Sequence, residues 1–133
     1  LLDQLRFFEL CVFSFLTGNN DMHLKNYSLI RLNEMWQLAQ AYDLLNVVIV
    51  NPKDVEETAL TLEGKKKKLK RINFDRLAKG LGLNEKQTSN AFSNFSEKFA
   101  EAKSLLKKSF LSKEMKEKYE TVMNNRAKKL ELI

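Results

Sequence analysis

Leu5, Phe7, Phe8, Leu10, Val12, Phe13, Phe15 and Leu16 crowd residues 1–17 so densely that a helix through them is apolar on most sides. Such a helix is not stable on a surface; it has to be buried, with other elements wrapped round it. Gly18 is the expected residue just past its C-terminal end. The chain is therefore expected to be built round a central N-terminal helix, and the segment after Gly18 starts from the middle of the fold. That segment reads Asn19-Asn20-Asp21-Met22-His23-Leu24-Lys25-Asn26, which holds one acid, the only histidine, one lysine and three asparagines. Polar groups this dense at an element junction point to chemistry, because loops held by rigid scaffolds carry function.

Residues 27–32 and 35–38 read as two short strands joined by a tight turn at Asn33-Glu34, a candidate hairpin. Ala41 to Leu45 come next, then the apolar run Val47 to Val50, closed by Asn51-Pro52. Residues 53–58 are polar and read as a loop or one helical turn. Ala59 to Leu62 looks like a strand with a turn at Glu63-Gly64, and the lysines 65–68 then suit a solvated turn or a guarded edge. Asn73 is the expected cap of a helix running to about Leu81 and ended by Gly82. Asn84 is expected to cap a long helix to about Lys108, with Phe92, Phe95, Phe99, Ala102, Leu105 and Leu106 at core spacing. Ser112 then caps a last helix with Met115, Tyr119, Val122, Met123 and Leu130 on one face. Trp36 is expected in the core, and Tyr42 as a packing residue.

A chain of 133 residues with 44% hydrophobic content supports one domain, or one lobe of a larger enzyme. One Pro and four Gly exclude a low-complexity chain. The single Cys11 is no disulfide framework; it reads as a small buried hydrophobe in a reducing compartment. No apolar run reaches the roughly 20 residues a membrane helix needs, so no membrane partner is expected. The chain opens mid-pattern, without Met, and is expected to be a fragment preceded by further sequence. The net charge of +6 is uneven. Residues 1–62 carry four Lys/Arg against eight Asp/Glu, and residues 63–133 carry nineteen against nine. The second half thus reads as a basic helical surface for docking or electrostatic attraction.

Asp21 precedes Asn26 by five residues, the spacing of base and metal-binding asparagine in the kinase catalytic loop. Phosphoryl transfer asks the protein for a carboxylate to orient and deprotonate a hydroxyl, and for hard oxygens that hold Mg²⁺ against the phosphates. Asp21, Asn26 and Asp43 supply that set, provided the hairpin folds back to bring Asp43 beside Asn26. Zinc is poorly served, since His23 has no His or Cys partner at ligand spacing.

The stretch from Leu16 to Ser28 resembles the G-N-x-D-x-H-x-K-N catalytic loop of HipA-like serine/threonine kinases, toxins of bacterial toxin–antitoxin modules. Ala39 to Leu45 is similar to that family's L-x-P-A-Y-D-L-L segment, and Ala59 to Lys66 to the stretch beyond it. The likeness covers residues 1 to about 82 by motif and the last two helices only in kind. Gln40 stands where the family has Pro, which loosens the backbone but removes no ligand.

The resemblance implies an α+β, mostly helical, kinase-like C-terminal lobe: a central buried helix, a small β-hairpin at the catalytic loop, and a C-terminal helical bundle. All of 1–133 would be one lobe, with the catalytic loop, hairpin and Mg²⁺-binding segment in 1–62 and a basic helical part in 63–133. Asp21 would be the catalytic base, and Asn26 and Asp43 would bind Mg²⁺ and, through it, ATP. His23 would order the loop by hydrogen bonding, and Lys25 would contact a phosphate or pair with Asp21. Neither a glycine-rich phosphate loop nor a strand Lys–Glu pair is identifiable, so the family's N-terminal ATP-binding lobe would lie upstream or on a separate chain. The implied reaction passes the γ-phosphoryl group of ATP to a Ser or Thr of a protein substrate, in the cytoplasm, with a DNA-binding antitoxin as partner. The rival reading is a non-catalytic basic module for nucleic acid or an acidic partner. A third is a small-molecule kinase with a similar lobe.

Overall fold

The computed structural model describes residues 2–133. Its elements run α1 (Leu2–Thr17), a 3-10 turn (Leu24–Asn26), β1 (Leu29–Leu32), β2 (Met35–Leu38), α2 (Val47–Val50), α3 (Arg71–Gly80), α4 (Glu85–Lys108) and α5 (Lys113–Lys129). The fold is α+β and mostly helical, with a single antiparallel pair of strands among the described residues.

The apolar first helix is central, as its composition requires. It packs on α3, α5 and β2. Phe8, Val12 and Phe15 are fully buried. Phe8 meets Phe92 of α4 edge-on at 5.5 Å between ring centroids, and Phe15 meets Phe74 of α3 at 5.0 Å. Phe92, Phe99, Leu106, Met123, Ala127 and Leu130 complete one continuous core drawn from both ends of the chain.

Local chemistry sets most helix ends. Asn84 accepts from the Gln87 N–H while the Gln87 side chain accepts from the Asn84 N–H, both at 2.9 Å, a reciprocal cap for α4. Ser112 accepts from Met115 N–H at the start of α5. Asn73 departs from expectation. Helix α3 begins at Arg71, with Lys70 as the capping position. Asn73 lies one turn inside and reaches back, its Oδ1 accepting from Lys70 N–H at 2.9 Å. The sequence holds a capping residue, but it caps from the third helical position because its amide is also claimed by Glu63 at 2.9 Å.

The hairpin forms in the register Leu29↔Leu38 to Leu32↔Met35. Asn33 and Glu34 both take positive φ, 48° and 64°, the geometry whose twist suits a two-residue hairpin. Two expectations fail here and beyond. Trp36 is not core: it is 64% exposed, because no other element covers the outer side of this hairpin. Ala59 to Leu62 is not a strand; the segment turns on itself and leaves only a bridge between Leu62 and Lys65, since no neighbouring strand offers a ladder. Residues 53–58 form a loop. No helix among the described residues is long and apolar enough to cross a membrane.

Candidate active site

The loop after α1 is set by the way that helix stops. Gly18 has φ +72°. Its N–H donates to Phe15 O and the Asn19 N–H to Ser14 O at 2.8 Å, the paired bonds of a Schellman ending. A Cβ at Gly18 would lie 2.8 Å from Asn46 Oδ1 and 3.0 Å from Val122 Cγ1. The Gly18 carbonyl accepts from the N–H groups of Val47 and Val48 at 3.0 and 3.3 Å. Asn46 caps the same turn by accepting from Ile49 N–H. The apolar run Val47 to Val50 therefore closes as one helical turn against the end of α1, and the chain between Gly18 and Val47 leaves and returns at one point.

Asn19 is buried at the base of this excursion. Its Oδ1 accepts from the Asp21 N–H at 3.3 Å, and its Nδ2 donates to the Asp43 carbonyl at 3.5 Å. The residue thus ties the two acidic segments together. A second tie comes from Tyr42, whose hydroxyl donates to the Lys25 carbonyl at 3.0 Å. Tyr42 is 43% exposed, so it acts as a strut on the rim rather than as a packing residue. Asn20, also buried, anchors the loop from the other side by donating to the Glu56 carbonyl at 3.1 Å.

Within the loop, Asn26 is buried and its Nδ2 donates to the Asp21 carbonyl at 3.2 Å. The five-residue spacing is what closes this bond, and it commits the amide nitrogen while leaving Oδ1 as the free donor atom. The Asp21 side chain is 61% exposed; the ring nearest its carboxylate is His23, with Nε2 at 3.9 Å from Oδ1. That is too long for a hydrogen bond. His23 orders the loop through its backbone, donating from N–H to Asp21 O and accepting from Asn26 N–H. Its Nδ1 is buried with no partner. Lys25 makes no ion pair with Asp21 among the described residues; its side chain is exposed and its carbonyl is held by Tyr42. Asp43 is exposed at φ +55°, a left-handed conformation that Asp tolerates better than most residues.

The donor set is the exposed carboxylates of Asp21 and Asp43 and the Asn26 amide oxygen. All are hard oxygens and none is neutralised by a Lys or Arg, which fits Mg²⁺ and a phosphate-bearing substrate. Sequence reasoning offers these three as candidates and misses the residues that tie their segments together. Asn19, Asn20 and Tyr42 act through partners that are remote in sequence, although the burial of two asparagines directly before the acid could have been suspected from their place after a buried helix.

The model of the HipA-like C-terminal domain matches residues 2–103. The chain belongs to this family. Its site loop, hairpin and Asp43 segment all lie inside the match, and α5 lies beyond it. The HipA-like chain is 40% identical over 77 residues to the Sinorhizobium fredii protein named "Putative kinase Y4dM", a stretch covering 57% of this chain and 18% of that protein. Its fold superposes on the HipA of Shewanella oneidensis MR-1, solved as a toxin–antitoxin complex with HipB and operator DNA. The TM-score is 0.77 over 96% of this chain and 32% of that one, at 19% identity. The HipA-like chain thus spans a third or less of the proteins it matches.

Proposed function

We propose that this chain is the catalytic C-terminal lobe of a HipA-like protein kinase that transfers the γ-phosphoryl group of ATP to a Ser or Thr hydroxyl. The observation that supports the reading is the tie through Asn19, which accepts from the Asp21 N–H and donates to the Asp43 carbonyl, so that the backbones of the two acidic segments meet. Asp21 accepts the proton of the acceptor hydroxyl as its oxygen bonds to phosphorus and the β–γ bridging bond breaks, releasing ADP. Asn26 and Asp43 offer the oxygens that would hold Mg²⁺, which when bound offsets the negative charge of the phosphates. Lys25, exposed on the same loop, would meet a phosphate. His23 keeps the loop in shape.

In this reading, all of 1–133 is one lobe, and the nucleotide-covering N-terminal lobe is supplied by the rest of the protein or by a separate chain. The protein acts in the cytoplasm on a protein substrate and pairs with a DNA-binding antitoxin. The presence together of Asp21, Asn26 and Asp43 favours catalysis over a purely basic binding module. Intact mass spectrometry of the complete gene product after incubation with Mg-ATP tests the reading. A phosphoryl mass gained by the parent and absent from a folded Asp21→Asn variant is the expected result; a phosphorylated Asp21→Asn protein would remove Asp21 from the role of base.

A further inference from the structure

The catalytic loop is held by a buried ion cluster that neither the motif nor the family match describes. Glu57 sits in the polar stretch 53–58 yet is 8% exposed. Its Oε2 accepts from the Leu69 N–H at 2.7 Å. Its Oε1 takes a hydrogen bond from Lys129 Nζ and lies 3.4 Å from Arg126 Nη1, so both cations come from α5. The Glu57 N–H donates to the Lys66 carbonyl at 2.7 Å, which fixes the peptide on its N-terminal side. That peptide carries the Glu56 carbonyl, the acceptor of the buried Asn20 amide next to Asp21.

Helix α5 also packs on the end of α1 from which the loop departs. The Arg126 guanidinium lies over the Phe15 ring at 4.4 Å from its centroid, and Val122 bounds the space beside Gly18. Burial pushes the Arg126 guanidinium down from its ordinary value, and Glu57 opposes that shift. A buried carboxylate with two cations is costly to assemble and gains little net stability. Its value lies in fixing geometry, and the geometry it fixes ends at Asn20.

We propose that Glu57, held by Arg126 and Lys129, is a positioning residue for Asp21, acting through the Glu56 carbonyl and the Asn20 amide. The inference rests on the phosphoryl-transfer reading for its kinetic consequence, though not for its structural one. Hydrogen exchange read by mass spectrometry on the complete gene product tests it, comparing the parent with Asn20→Ala, Glu57→Gln and the double variant. Each single variant should speed exchange in peptides spanning residues 18–26 and leave α4 unchanged, and the double variant should add nothing further. In the transfer assay, Glu57→Gln should lower kcat by about ten- to a hundredfold at unchanged KM for Mg-ATP, as small misplacements of reacting groups do. Should Glu57→Gln fail to fold, Lys129→Met, at the half-exposed end of the cluster, carries the same comparison. Additive exchange effects, exchange rising equally through α1 and α4, or a raised KM at intact kcat would each reduce the cluster to general stability and overturn the proposal. A parent that transfers no phosphoryl group would count against the kinase reading alone, and the exchange comparison would still decide the inference.

Discussion

The Tyr42 hydroxyl donates to the Lys25 carbonyl at 3.0 Å, joining the segment before Asp43 to the loop between Asp21 and Asn26, seventeen residues apart in the chain. The bond is exposed, so its worth in stability is small, about 0.5–1 kcal/mol. Tyr42→Phe should therefore move the midpoint of chemical unfolding only slightly. Transfer should fall by more than that loss of stability accounts for, because the strut holds the backbone between Asp21 and Asn26. Paired unfolding curves and initial rates check this.

Gly18 and Gly80 should respond oppositely to alanine. At Gly18 the positive φ and the closeness of Asn46 and Val122 leave no room, and the cost should be about 1–3 kcal/mol. Gly80 lies in α3 with nothing within 4 Å of the added carbon, so Gly80→Ala should stabilise by about 0.5–1 kcal/mol. Urea unfolding of both variants decides it. Equal effects would mean that the helix end at Gly18 is not held as described.

Asp43→Asn keeps a residue that tolerates the left-handed backbone at this position while removing the charge. The fold should survive, and the rise in unfolding temperature produced by Mg-ADP in the complete gene product should shrink to that seen with chelator present. An undiminished rise would exclude Asp43 from the proposed Mg²⁺-binding role.

Burial pushes the Cys11 thiol up from its ordinary 9.0 to about 11, against a weak opposing contact with the Tyr27 hydroxyl at 3.9 Å. The folded state thus holds this proton more tightly than the unfolded chain does. The stability it contributes is complete below about pH 9 and is lost as pH rises through about 11. Tyr27 is shifted upward as well, by burial first and by Cys11 second, which carries the loss to still higher pH. Stability measured from neutral to alkaline pH should be flat and then fall, and Cys11→Ala should blunt the fall. At neutral pH the thiol should react with alkylating reagents far more slowly in the folded protein than in the unfolded one.

The features legible in the sequence were those that local chemistry decides. The apolar helix ending at Gly18, the caps at Asn84 and Ser112, and the Asn33-Glu34 turn each depend on residues within a turn of one another. The Asp21–Asn26 spacing is legible for the same reason, since the bond between the two residues closes within one loop. Trp36 and Ala59 to Leu62 read differently from what the fold shows because burial and strand pairing depend on remote elements: among the described residues nothing covers the Trp36 side of the hairpin, and no strand pairs with 59–62. Asn73 is one turn further into the helix than expected because an asparagine can cap equally from the N-cap itself or by reaching back from the third helical position. Glu57 was invisible: nothing in a polar run marks the one acid that turns inward to meet residues 69, 126 and 129.

The return of the chain to the Gly18 carbonyl makes residues 19–46 one closed excursion whose two ends meet at a single peptide group. Its ties to the helices are the hydrogen bonds at the base together with apolar contacts, since Met22 is buried and the Tyr27 ring lies 5.1 Å from that of Phe7. Displacing the segment therefore has to uncover apolar surface as well as break those bonds. The shape of the loop is in this sense inherited from α1, and a substitution that loosens that helix should be felt at Asp21 without touching it.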